Sequence, residues 1–140
     1  MIGISVISIV LIILLVRNFT PSLLMTIHSS SLELELKNLT TDKQVYHSNE
    51  MMNITLDVYS SEDVEAIVKV FGIKDKRNNY RLNKEEVRNF TIGTNIISYS
   101  YKTPSCYGCA GLNPGVKQIT AIVSCDNTTT NSTTEIEIKS

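Results

Sequence analysis

Two thiols three positions apart, in Cys106-Tyr107-Gly108-Cys109, are the most chemically suggestive pair in this 140-residue chain. Three chemistries use such a pair. In an oxidising compartment it closes a small disulfide. At a helix N-terminus, where one thiol pKa falls, it serves thiol–disulfide exchange. With two further ligands it holds zinc. Here the pair is followed by Ala110-Gly-Leu-Asn-Pro-Gly115, a loop composition. Cys125, His28 and His47 are the only other soft ligands, and none stands at a ligand spacing. A structural disulfide between Cys106 and Cys109 is therefore the first expectation, ahead of a redox pair, a zinc site or free thiols. No metal and no cofactor is expected. One strand, from about Val116 to Ser124, separates this loop from Cys125. Nine residues at ~3.3 Å each hold its ends roughly 30 Å apart. A disulfide tolerates only about 7 Å between Cα atoms. Cys125 is expected to have no partner within the chain.

The sequon Asn-x-Ser/Thr occurs at Asn18, Asn38, Asn53, Asn89, Asn127 and Asn131. In an exported domain these asparagines are candidate glycosylation sites, whereas in any other they belong to a Thr- and Asn-rich surface. Tyr99, Tyr101 and Tyr107 cluster late in the chain and suggest a partner-facing patch, although such tyrosines also complete sheet faces. Glu62, Asp63 and Glu65 read as a solvated turn, because the glycine-containing loop and spaced bidentate Glu of a calcium site are missing. No Ser-His-Asp set, phosphate loop or His-Glu-x-x-His is present, so no enzyme activity is expected. A net charge of −1 and the absence of Trp argue against a nucleic-acid partner.

Something must deliver and position these groups. Met1 to Val16 is a run without charge, interrupted only by Ser and Gly. As a helix it spans roughly 22 Å, and continuing to Thr20 brings it close to the roughly 30 Å of a bilayer core. Arg17 would snorkel to the interface and Pro21 would end the helix. Residues 1–20 are therefore expected to be a transmembrane anchor or a signal segment, with 21–31 as linker and 32–140 as one domain. No small-residue cleavage site follows Val16, which favours an anchor. Arg17 alone would hold the following domain in the cytoplasm, and the sequons favour the outside. The expectation is a membrane-anchored domain outside the cytoplasm, secreted if the leader is cleaved.

Beyond residue 31 the hydrophobic period is two. Leu32, Leu34 and Leu36 alternate with Glu33, Glu35 and Lys37, and Met52, Ile54, Leu56 and Val58 alternate with polar residues. Val64 to Phe71 is apolar on both faces, as in a strand that is central in its sheet or partly covered on both sides. Ile97, Tyr99 and Tyr101 form one face of a later run, and further runs lie at Ile119–Val123 and Ile136–Ile138. A weaker run at Val87, Phe90 and Ile92 suggests a bulge, and Lys84–Arg88 suits one helical turn. Turn residues at His47–Glu50, Asp75–Asn79, Gly93–Thr94, Asn113–Gly115 and Asp126–Asn127 separate the runs. About seven strands with turns every 8–12 residues predict an all-β, antiparallel two-sheet sandwich preceded by one apolar helix. The expected core is Leu34, Ile54, Leu56, Val68, Val70, Ile97, Ile119, Ala121, Val123 and Ile136.

This strand order resembles an immunoglobulin-like or fibronectin-type-III-like sandwich. Asp42-Lys-Gln-Val-Tyr46 through Glu50, followed by Met52 to Val58, is similar to the first half of such modules in archaeal cell-surface proteins. Thr103 to Gly115 followed by Ile119 to Val123 looks like their late hairpin. The chain departs from the pattern at Lys117, where an aromatic commonly packs, and lacks the Trp and paired inter-sheet Cys of antibody domains. The resemblance implies a fold, and fold does not carry function. The leading expectation is a non-enzymatic membrane-anchored module with a structural or partner-binding role at the cell envelope, its partner a protein or carbohydrate. The alternatives are a thiol–disulfide protein using Cys106 and Cys109, and an accessory subunit of a membrane complex.

Overall fold

The computed structural model describes residues 31–107 and 111–140, all of them strand, turn or loop. The apolar leader, its expected helix, the linker to residue 30, Asn18 and Cys109 lie outside the described residues. Eight strands follow in chain order: β1 (Leu34–Thr41), β2 (Val45–His47), β3 (Met51–Ser60), β4 (Val64–Lys74), β5 (Tyr80–Phe90), β6 (Gly93–Lys102), β7 (Gly115–Cys125) and β8 (Thr128–Lys139). They form a three-stranded sheet, β1-β3-β6, and a five-stranded sheet, β2-β8-β7-β4-β5. All pairings are antiparallel except β2 with β8, where Tyr46 lies opposite Ile138. The eighth strand beyond the expected seven is β2, whose three residues are too few to show a period.

Alternation becomes burial because each sheet has one covered face. In β3, Met52, Ile54, Leu56 and Val58 are wholly buried, while Met51 and Asn53 are exposed. All ten expected core residues are buried. Tyr46, Leu112 and Ile138 join them with no exposed surface. In β1 the buried residues are Leu34, Leu36 and Leu39, a spacing that breaks period two. The pairing with β3 slips between Leu36 and Asn38, and this bulge returns Leu39 to the inner face. β4 lies between β7 and β5, inside its sheet, as its two-sided apolarity suggests.

Three local expectations are corrected. Lys84–Arg88 is strand, not helical turn, because β5 pairs with β4 in unbroken register from Phe90 to Leu82. The irregularity falls in β4 at Ile73 instead, a buried residue with φ 52°. Gly93 and Thr94 begin β6, so the β5–β6 turn is Thr91 and Ile92.

Candidate functional site

The Asp42–Tyr46–Glu50 motif is closed upon the fold. The Tyr46 hydroxyl donates to Asp42 Oδ1 at 2.8 Å and accepts the Lys43 N–H at 2.9 Å. The same Asp42 oxygen accepts the Asn53 N–H at 2.7 Å, and the Asp42 N–H donates to the Asn53 carbonyl. The Asn53 N–H and the Tyr46 hydroxyl together hold the Asp42 carboxyl below its usual pKa range. Glu50 pairs with the Lys43 ammonium and accepts the His47 N–H at 2.7 Å, and both lower its pKa. Thr103, at the end of β6, is buried and binds the same turn, donating from its hydroxyl to the His47 carbonyl at 2.7 Å. The motif thus ties β2 to β3 and to the start of the long β6–β7 connection.

The structure separates the three late tyrosines. Tyr99 and Tyr101 stand on the same face of β6 as Ile97, so they point between the sheets. Tyr99 is buried and Tyr101 half-buried, whereas Tyr107 is exposed in the β6–β7 loop. The Tyr99 hydroxyl donates to Glu86 Oε1 at 2.8 Å, and the Lys84 ammonium lies 4.3 Å from its ring centre. Burial raises the Tyr99 pKa, and the Glu86 carboxylate adds to the rise. Arg88 Nε donates to Glu86 at 2.6 Å. Lys84, Glu86 and Arg88 share the parity of buried Leu82 and Phe90, so the edge strand β5 turns a row of charges toward the seam. A cleft of about 300 Å³ opens there, lined by Arg81, Lys84, Tyr99 and Tyr101. Inward charges on an edge strand discourage pairing with another chain.

A second concavity, unread in the sequence, lies on the outer face of the five-stranded sheet. Its volume is about 410 Å³, and its lining includes Phe71, Gly72, Tyr80, Val116, Gln118 and Glu135. Phe71 and Tyr80 meet edge to face at 5.2 Å, and the Lys74 ammonium lies 5.0 Å from the Tyr80 ring centre. A methyl group on Gly72 would stand 2.2 Å from the Gln118 carbonyl, so glycine permits the close approach of β4 to β7. Asp75 is the chemical keystone of the adjoining β4–β5 turn. Its buried Oδ1 accepts the N–H groups of Arg77 at 2.8 Å and Asn79 at 3.0 Å.

Among the described residues no disulfide forms. Cys106 is buried, its N–H bound to Ser48 Oγ at 2.9 Å and its sulfur 3.9 Å from the Lys139 carbonyl. Lys139 ends β8 beside the start of β7, and Cys125 ends β7 at the opposite end of that hairpin. The two thiols therefore lie a strand's length apart. No group of three or more metal-ligating side chains is assembled among the described residues. The sequon asparagines Asn38, Asn53, Asn89, Asn127 and Asn131 are all exposed.

No family model matches the sequence, and no curated protein matches it. Solved structures match in fold. The alkylpurine DNA glycosylase AlkC of Pseudomonas fluorescens, bound to DNA containing an abasic site analog, aligns with a TM-score of 0.59 and 14% identity. The alignment covers 77% of this chain and 31% of that one. A β-glucosidase from Listeria innocua in complex with gluconolactone aligns at 0.55 and 13% identity, over 79% of this chain and 16% of that one. The C-terminal domain of wzt aligns at 0.53 and 12% identity, over 76% of this chain and 74% of that domain. The chain thus spans less than a third of the first two proteins. At such identities these likenesses establish the β-sandwich fold alone.

Proposed function

We propose that this chain is a non-enzymatic module anchored in the membrane by residues 1–20, with its sandwich outside the cytoplasm in a structural or partner-binding role. The observation that carries this reading is the exposure of all five sequon asparagines in the described domain. The closure of the Asp42–Tyr46–Glu50 motif supports a non-catalytic role, since its polar atoms are spent on holding strands together. An immunoglobulin-like arrangement is supported by the division into β1-β3-β6 and β2-β8-β7-β4-β5, with the chain changing sheets after β1, β2, β3, β5 and β6. The burial of Cys106 weighs against a thiol–disulfide exchange role, which needs an accessible thiolate. A structural link between Cys106 and Cys109 remains part of the proposal.

Protease added to intact cells tests the topology. The sandwich is expected to be reached while a cytosolic control survives. Protection equal to the control would place the domain inside and remove the reading. Thiol alkylation followed by peptide mapping tests the pairing, with Cys106 and Cys109 blocked together and Cys125 free.

A further inference from the structure

We propose that, within the described domain, the fold confines N-glycosylation to Asn127, in the turn between β7 and β8, and leaves the sequons at Asn38, Asn53 and Asn89 bare. The inference rests on the extracytoplasmic reading above. In a strand, side chains i and i+2 share one face and i+1 takes the other. An Asn and a Thr that both face away from the core therefore enclose a residue directed at it. That middle residue is Leu39 at 5% exposure, Ile54 at 0% and Phe90 at 2% in these three sequons, the last of which ends on Thr91 in the β5–β6 turn. A transferase must gather the Asn carboxamide and the hydroxyl two residues on, roughly 6.6 Å apart along a strand, into one bent acceptor. Bending any of these three segments pulls a core side chain into water and breaks the ladder beside it.

Two of the three are also committed through a side chain. Asn53 Oδ1 accepts the Ser100 hydroxyl at 2.8 Å, and β3 is paired on both sides. Thr91, the hydroxyl residue of the Asn89 sequon, is bound to Asn95 Oδ1 through both its N–H and its Oγ1. Asn127-Thr128-Thr129 differs in its middle residue and in the turn position of its asparagine, while Thr128 and Thr129 open β8 opposite Cys125 and Ser124. The chain is already bent there, with Asp126 at φ 47°. Asn127 and Thr129 are exposed, and the middle residue is a half-buried threonine whose displacement uncovers no apolar core. Asn131 ranks second. Its middle residue Ser132 is also polar, but Asn131 lies within the β7–β8 ladder and Thr133 is bonded to Thr120 at 3.0 Å.

The donor class is an oligosaccharide activated as a polyprenyl diphosphate. Asn127 Nδ2 attacks its anomeric carbon. The C–N bond forms, the C–O bond breaks, and the polyprenyl diphosphate leaves with the electron pair. The amide proton passes to a carboxylate of the transferase.

Intact-mass and glycopeptide analysis of the full-length chain from its own cells tests this, paired with protease accessibility on the same cells. The expected result is a glycan at Asn127 as the one occupied sequon of residues 31–140, lost in Asn127→Gln and in Thr129→Val. The second variant keeps the asparagine and removes only the hydroxyl. Occupancy of Asn53 or Asn89 equal to that of Asn127 would overturn the proposal, because the sugar would then be attached before folding. A bare chain that protease reaches would overturn it and leave the external location standing. A bare chain that protease cannot reach would remove both.

Discussion

Tyr46 shows how one side chain can carry a motif. Its ring is wholly buried between the sheets, and its hydroxyl joins the Asp42 carboxylate to the Lys43 amide. Tyr46→Phe keeps the ring and strands both partners, so a loss of about 1–3 kcal/mol is expected from urea unfolding. An unchanged midpoint would mean that water replaces the hydroxyl at no cost. The acids beside it contribute to the response to pH, together with Asp75 and Glu86, whose pKa values are also lowered. Asp42 and Glu50 have depressed folded pKa values, so the unfolded chain binds more protons in acid. Their stabilisation is complete above the unfolded values of about 4 and is lost as pH falls through the lower folded values. The denaturant midpoint should hold steady from about pH 7 to pH 5 and decline below about pH 4. Asp42→Asn should make that decline shallower. An equally steep decline in the variant would assign acid sensitivity to other groups.

At the scale of elements, β4 is the strand on which the five-stranded sheet turns. It pairs with β5 on one side and β7 on the other, and it bends at Gly72 and Ile73. A branched side chain in left-handed backbone is costly, by about 1–3 kcal/mol, and persists only where the surroundings enforce it. Here the enforcement is the burial of Ile73 and the approach of Gly72 to Gln118. Gly72→Ala sets a methyl against backbone that has no rotamer with which to yield. A loss of more than about 2 kcal/mol is expected by thermal or urea unfolding. A variant of full stability would show that β4 and β7 separate freely at that point. The outer groove beside Phe71 and Tyr80 depends on the same approach.

The whole sandwich should stand without its leader. Residues 31–140 form one compact unit with its own core. The isolated fragment is expected to give a strand-dominated far-ultraviolet circular dichroism spectrum and a cooperative melt. A helix-dominated or featureless spectrum would contradict the architecture. Within it, Ile54 has no exposed surface and lies in the central strand of the smaller sheet. Ile54→Asp places a carboxylate there without a partner and should cost several kcal/mol, on the order of the fragment's whole stability.

Local alternation determined the strands and their inner faces, because period two is written in consecutive residues. It carried the run from Met52 to Val58 into the core, and it already put Tyr99 on the face of Ile97. Of the two readings of Tyr99 and Tyr101, a partner-facing patch and completion of a sheet face, that parity favours the second. Tertiary structure decided what alternation cannot encode. Tyr99 meets Glu86 across the seam between two sheets. β2 exists through three residues that find β8 ninety-two positions away. The sequence displayed Asp42, Tyr46 and Glu50 as a motif, but only their convergence on Asn53, His47 and Thr103 made it a joint. Hydrogen bonds and close approaches need atoms brought within a few ångströms, and in a sandwich that distance is set by strands far apart in the chain.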